Sequence, residues 1–210
     1  MIRLIILFFL FLALGLSGQE MAMKEKTFGI SMVPQYAFSN GTRIDFDVRL
    51  SEKGHWLVVG PQLYISNGTS GLWNYDRLTG TGIDLQHRIF LRHKPEPTGT
   101  YLAYGPVIQF FSVRDQGLEA YGFKEGDDNY IGLNEKMIRT NIFKLGGNLI
   151  FGYQTVLSET LYLDFFLGTG IRFSYDNRKS GLHSYYNKSW VDLGYSGTLM
   201  VGGFRFGLMF

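Results

Sequence analysis

Apolar and polar residues alternate with a period of two along most of this chain. In residues 43–50, every even position is apolar and every odd position is arginine or aspartate. Successive side chains of a β-strand point to opposite faces, so this segment is predicted to be a strand with one apolar and one ionic face. Similar alternation recurs near residues 28–38, 83–91 and 161–173. The dominant rhythm therefore predicts an all-β protein.

Turn-forming residues divide the alternating runs into about eight strands. The predicted strands span residues 27–38, 43–50, 55–66, 78–91, 100–114, 138–155, 160–175 and 196–210. The three longest connections, 67–77, 115–137 and 176–195, fall at the same end of an up-and-down meander. An even strand number, with short periplasmic turns and longer extracellular loops, is typical of outer-membrane barrels. We therefore expect an eight-stranded antiparallel up-and-down transmembrane β-barrel.

The direction in which the apolar face points separates two classes of barrel. A secreted lipocalin-like carrier would bury this face, whereas a membrane barrel would expose it to lipid. Charges of both signs share the polar face with many glycines, which suits ion pairs in a narrow lumen. We therefore favour an apolar exterior. The predicted polar network of the lumen comprises Arg43, Asp45, Asp47, Arg49, Asp84, Arg88, Lys144, Asp164, Arg172 and Arg205.

Aromatic residues gather near both ends of the predicted strands, as they do at the headgroup levels of a bilayer. One predicted belt comprises Tyr36, Phe38, Tyr64, Phe173 and Tyr175. The other comprises Trp56, Phe90, Tyr101, Tyr153, Tyr162 and Phe210. Two such belts favour a barrel that spans a membrane.

The first 18 residues have the features of a secretory signal peptide. Arg3 precedes an uninterrupted apolar run at residues 4–16, and small residues follow it. The run is shorter than the roughly 20 residues that a membrane-spanning helix needs. We predict a signal peptide at residues 1–18, a short periplasmic tail at 19–26 and an outer-membrane barrel domain at 27–210.

Composition excludes several classes of protein. Lys and Arg number 20 against 18 Asp and Glu, and this balance argues against a nucleic-acid binder. The sequence contains no cysteine, so disulfides, thiol nucleophiles and thiolate metal sites are excluded. Hydrophobic residues make up 45% of the chain, which is enough to exclude disorder over most of its length.

The C-terminal strand carries the most specific motif. Its apolar positions alternate with glycine or arginine, and they are Phe204, Phe206, Leu208 and Phe210. This resembles the terminal strand of outer-membrane barrels, which the barrel-assembly machinery reads through such a series. The resemblance implies that these four residues act as an assembly signal.

Short motifs between residues 82 and 170 extend the resemblance over most of the chain. They are Gly82-Ile83-Asp84-Leu85, Gly146-Gly147, Gly152-Tyr153-Gln154 and Gly168-Thr169-Gly170. With the strand layout, they make the chain similar to the small eight-stranded barrels of Gram-negative bacteria, in the layout of an OmpA-type transmembrane domain, and to an uncharacterised family of such barrels. The resemblance implies a place in the bacterial outer membrane, with membrane lipid and the assembly machinery as partners.

Motifs for catalysis or metal binding are sparse. His183 and Ser184 are neighbours, and adjacent side chains of an extended chain point apart, so they do not form a nucleophile and base pair. No spacing of the four histidines with acidic residues resembles a metal site. Residues 125–129 offer oxygen ligands to a hard cation, but a solvated acidic tip is the simpler interpretation. We expect no enzyme activity, no cofactor and no metal.

Three functions remain open at this point. The leading one is an integral outer-membrane barrel with a plugged polar lumen, whose extracellular loops serve surface interaction or whose barrel supports the membrane. A narrow pore for small solutes or ions is the first alternative, and a secreted lipocalin-like carrier is the second. Aromatic side chains often anchor interfaces. The candidate contacts for an extracellular ligand or protein are Trp73, Tyr75, Tyr121, Tyr130, Tyr185, Tyr186 and Trp190.

Overall fold

Eight antiparallel strands close into a barrel in sequence order, which confirms the predicted fold class. The computed structural model describes residues 26–67, 76–92, 97–126, 128–177 and 192–210. The strands are β1 (Phe28–Met32), β2 (Gly41–Ser51), β3 (His55–Asn67), β4 (Arg77–Phe90), β5 (Gly99–Glu125), β6 (Asp128–Val156), β7 (Leu161–Asp176) and β8 (Gly197–Met209). The predicted signal peptide and all of the predicted tail except residue 26 lie outside the described residues.

The apolar face of the strands points outward. On β2, Arg43 is 4% exposed and Asp45 and Asp47 are fully buried, whereas Ile44 is 46% and Val48 is 39% exposed. Because strand side chains alternate, the polar positions of the sequence pattern line the interior of the closed barrel. This orientation is the opposite of that in a lipocalin-like carrier, whose apolar face lines the cavity.

The strands are strongly tilted. If the paired positions are followed from Phe28 across each neighbouring strand in turn, they arrive at Met200 on β8. The backbone of Phe28 itself, however, is hydrogen-bonded to Phe210. The two positions on β8 differ by ten residues, and a stagger of this size corresponds to a tilt of about 40°. The interior of an eight-stranded barrel is just wide enough for side chains to fill.

The first strand is shorter than the sequence pattern predicts. Pro34 has no N–H to donate to the ladder and restricts the residue before it, so β1 ends at Met32. The chain continues as a 3-10 helix, Pro34–Ser39, and ends that helix at Asn40 with φ of 54°. The prediction of a strand up to residue 38 is therefore wrong beyond Met32. As a consequence, the ladder between β1 and β8 is short: it runs from Gly29 to Met32, and backbone hydrogen bonds of Thr27 and Phe28 with Phe210 extend it beyond Gly29.

The longest predicted loop is instead a pair of strands. Residues 115–138 continue β5 and β6 and pair with each other from Asp115↔Ile138 to Glu125↔Asp128. The ladders to β4 and β7 end at Arg114 and Ile142, so this segment is a two-stranded ribbon beyond the barrel wall. We call it the projecting hairpin (residues 115–138). Its end of the barrel is the hairpin end, and the opposite end, with turns at 52–54 and 157–160, is the short-turn end.

Candidate functional site

An ionic network fills the middle of the barrel interior. Arg43 of β2 places Nε 2.5 Å from Oδ1 of Asp45 and Nη1 2.7 Å from Oδ2 of Asp84 on β4. Arg205 of β8 places Nε 3.0 Å from Oδ2 of Asp45 and donates from Nη2 to Oε1 of Gln86 at 2.9 Å. Two arginines therefore join strands that are not neighbours in the wall.

The same network continues toward β7. Asp164 lies 3.1 Å from Nη1 of Arg205 and accepts a hydrogen bond of 2.8 Å from the Tyr101 hydroxyl. Arg88 places Nη2 3.5 Å from Asp47 and 3.5 Å from Asp164, and its guanidinium lies 4.6 Å from the centre of the Tyr101 ring. These charges are buried, so their stability depends on mutual pairing rather than on water.

A fourth arginine joins the network through an amide. Nη2 of Arg172 donates to Oδ1 of Asn148 at 2.7 Å, and Nδ2 of Asn148 donates to Oδ2 of Asp84 at 3.0 Å. The charges of this connected network balance, because four arginines face four aspartates. These are Arg43, Arg88, Arg172 and Arg205 with Asp45, Asp47, Asp84 and Asp164.

Two predicted members of the lumen network lie apart from it. Lys144 is buried nearer the hairpin end, where Arg172 and Asp192 are its charged neighbours. Arg49 is half-buried near the short-turn end, and its Nε donates to the carbonyl oxygen of Ser51 at 3.3 Å. The sequence pattern thus located the polar face but not the limits of the connected network.

Several aromatic residues predicted for the membrane belts point into the barrel instead. Trp56, Phe90, Tyr101 and Tyr162 are buried at the short-turn end, where Met209 completes a packed cluster. Tyr64 is buried at the hairpin end in a second cluster. Position on the strand sets the side that a residue faces, and these five occupy inward positions. The residues that do face outward are Phe38, Tyr153, Phe173, Tyr175 and Phe210.

The second apolar cluster and the 3-10 helix cover the network at the hairpin end. The members of this cluster are Tyr64, Leu78, Phe111, Val113, Ile142 and Leu193. Tyr36 of the 3-10 helix packs against both clusters and lies 3.1 Å from Nη1 of Arg43 through its hydroxyl. Gly203 faces Gln35 of the same helix, and a methyl group on Gly203 would collide with the Gln35 side chain. Ionic contacts in the middle thus lie between two packed apolar layers.

The projecting hairpin exposes apolar side chains on both faces. On one face, the rings of Phe123 and Tyr130 stack with centres 5.6 Å apart, and Tyr121 lies 5.8 Å from Phe123. On the other face, Ile131 is 80% and Leu133 is 63% exposed. The predicted loop contacts Tyr121 and Tyr130 therefore belong to a strand ribbon rather than to a loop.

The remaining predicted residues divide between described and undescribed parts of the chain. Phe204, Phe206, Leu208 and Phe210 all face outward at the short-turn end of β8. Asp127, within the predicted oxygen-rich tip, lies outside the described residues. So do Trp73, Tyr75, His183, Ser184, Tyr185, Tyr186 and Trp190.

Within the described ranges, no helix is long and apolar enough to cross a membrane. No group of three or more histidines and acidic residues in the same ranges is placed to hold a metal ion.

The geometry defines an eight-stranded up-and-down barrel with an apolar exterior and a charged, packed interior. No family model matches the chain, and no curated protein matches it. The crystal structure of Acinetobacter baumannii CarO is similar with a TM-score of 0.45 and 11% identity, covering 88% of this chain and 98% of that one. The crystal structure of Acinetobacter baumannii CarO2 gives a TM-score of 0.38 and 10% identity over the same shares.

Proposed function

We propose that this protein is an integral outer-membrane β-barrel with a closed structural core, and that its projecting hairpin makes contacts outside the cell. The apolar exterior of a closed barrel is the observation that carries the proposal. A bilayer leaves backbone polar groups without water, and a closed barrel satisfies them between strands. The wall that meets lipid must also be apolar.

The height of the apolar exterior supports a membrane location. On β7 the outward series runs from Leu163 to Phe173 and is apolar except for Thr169. Ten residues extend about 33 Å along a strand, or about 25 Å along the axis of a barrel with this tilt. The apolar band of outer-membrane barrels has about the same height. Lipid is therefore the first partner we propose, and the barrel-assembly machinery the second.

The packed interior favours a structural core over a pore. The four arginines and four aspartates of the network carry equal and opposite charge, with Arg172 connected through Asn148, and apolar clusters cover them toward both ends. Such a core leaves the charges without the water that a conducting lumen would hold. Planar bilayers containing the purified protein are expected to show no steady conductance, and a steady ohmic conductance would contradict the closed core.

The projecting hairpin supports a role in surface contact. Among the described residues its strands pair with each other and with no other strand, and its exposed aromatic and aliphatic side chains lie beyond the wall. Exposed apolar patches of this kind mark interaction sites. The partner we propose is a protein or ligand that binds Tyr121, Phe123 and Tyr130.

Cysteine labelling in intact cells tests the location and the orientation together. Because the chain has no cysteine, single substitutions give clean reporters. Ile131→Cys on the projecting hairpin should react with a membrane-impermeant maleimide in intact cells. Glu52→Cys, exposed in a short turn, is the matched control and should react only after the outer membrane is permeabilised. Recovery in the soluble fraction, or labelling of Glu52→Cys alone in intact cells, would overturn the proposal.

A further inference from the structure

Two histidines meet on the outward face near the short-turn end. His55 is the first residue of β3, and His87 lies on the neighbouring strand β4. Nδ1 of His55 lies 3.1 Å from Nε2 of His87, and the ring centres are 5.2 Å apart. Their spacing of 32 residues carries no motif, so only the register of the two strands brings them together.

A tyrosine hydroxyl contacts the second ring nitrogen of His87. The hydroxyl of Tyr104, on β5, lies 2.9 Å from Nδ1 of His87. When Nδ1–H donates to this hydroxyl, the lone pair of His87 Nε2 is directed toward His55. Histidines that bind metal usually use one nitrogen for the metal and donate from the other to a hydrogen-bond acceptor. Tyr104 is placed to be that acceptor.

We propose that Nδ1 of His55 and Nε2 of His87 together bind one transition-metal ion, with Cu²⁺ bound most tightly. Imidazole nitrogens lie about 2.0–2.1 Å from such an ion, so two of them at angles between square and tetrahedral are about 2.8–3.4 Å apart. The observed separation of 3.1 Å falls within this range. Imidazole ligands suit copper, nickel and zinc, and Cu²⁺ leads the usual order of affinity. Water completes the coordination sphere, and the proton between the two rings moves from Nδ1 to Nε2 of His55, so that both histidines bind as neutral imidazoles.

The position of the pair gives the ion an approach from the short-turn end. His55 begins β3 directly after the turn at residues 52–54, and both histidines are half-buried. In the proposed orientation this end faces the periplasm. The site itself depends only on the barrel fold, so it can be tested in detergent whether or not the membrane assignment holds.

Copper titration of the mature protein, purified without a histidine tag and folded in detergent, tests the site. Calorimetry measures affinity, and electron paramagnetic resonance reports how many nitrogens couple to the copper. The native protein should show two coupled nitrogens. His55→Gln and His87→Gln should each weaken binding at least tenfold and remove one coupled nitrogen, because a glutamine amide keeps a hydrogen bond but is a poor copper ligand. Tyr104→Phe should weaken binding about tenfold while both nitrogens remain coupled.

The control variant is His183→Gln, which removes a histidine distant in sequence from the pair. It should bind copper as the native protein does. Heat-modifiable migration on gels confirms that each variant is folded before it is titrated, and Tyr104→Phe provides a second test if a histidine variant does not fold. Equal copper affinity in the native protein and in folded His55→Gln would overturn the proposal, as would loss of the two-nitrogen signal in His183→Gln.

Discussion

Neutralising Asp45 should be among the most damaging single changes in the barrel. Its carboxylate accepts hydrogen bonds from Nε of Arg43 at 2.5 Å and from Nη2 of Arg43 at 3.1 Å, and it forms an ion pair with Arg205, whose Nε lies 3.0 Å away. An asparagine of nearly the same shape would keep one oxygen but turn an amide N–H₂ group toward two buried guanidinium groups. Removing one partner of a buried ion pair costs about 3–5 kcal/mol. At about 1.4 kcal/mol per factor of ten, the folded population should fall about 10²- to 10⁴-fold relative to the unfolded one.

Urea unfolding of the refolded barrel in detergent, followed by gel migration without boiling, measures this cost. Asp128→Asn is the matched control, because it makes the same chemical change at an exposed position of the projecting hairpin. Its effect should stay within about 0.5 kcal/mol. The double variant Arg43→Gln, Asp45→Asn should lose less stability than the two single changes added together, since they share a contact. If Asp45→Asn proves as mild as Asp128→Asn, the network does not hold the barrel in the way described.

Three further changes test other parts of the structure. Gly168→Ala should lower the free energy of unfolding by about 1–3 kcal/mol, because the new methyl group would collide with the main-chain carbonyl of Leu149 on the neighbouring strand. Gly203→Ala is the matched control and should cost less, because its methyl group meets the flexible end of Gln35; equal losses in the two variants would argue against this reasoning. Replacing residues 117–136 by Asn-Gly should leave heat-modifiable migration intact, because the strand ladders to β4 and β7 end before the removed segment. A barrel that no longer folds would show that the projecting hairpin is part of its core. Trp56→Ala should destabilise the barrel by about 3–5 kcal/mol in the urea assay, because the tryptophan side chain is buried. A neutral effect would mean that the short-turn end is loosely packed.

The sequence was sufficient to predict the barrel and the polar face, because both follow from a period of two. An inward charge on a strand is recognisable when its neighbours are apolar, as Asp45 is between Ile44 and Phe46. An inward aromatic residue gives no such signal. Trp56 and Tyr101 therefore looked like membrane-belt residues, although they lie at positions whose side chains meet inside the barrel.

Other features depended on information that local patterns do not contain. A 3-10 helix replaces the predicted strand although Tyr36 and Phe38 keep the strand period. Pro34 is the residue that indicates the end of the strand, because proline cannot donate to the ladder. The sequence pattern predicts a loop in place of the projecting hairpin, because apolar residues occur on both of its faces and blur the alternation. The pair of His55 and His87 requires the register between β3 and β4, and register is set by the whole sheet.

The ladder between β1 and β8 is short, so side-chain contacts inside the barrel contribute to its closure. The ladder across that joint runs from Gly29 to Met32, and backbone hydrogen bonds of Thr27 and Phe28 with Phe210 add one step to it, whereas β7 pairs with β8 from Leu161 to Arg172. Arg205 compensates from inside, because its single side chain reaches Asp45 on β2, Asp164 on β7 and Gln86 on β4. Side-chain ion pairs of Arg205 thus supplement a short main-chain ladder at this joint. Because Arg205 lies on the last strand, its ion pairs with β2 and β7 can form only after β8 has joined the wall. Closure of the barrel and completion of its interior ion pairs are therefore coupled.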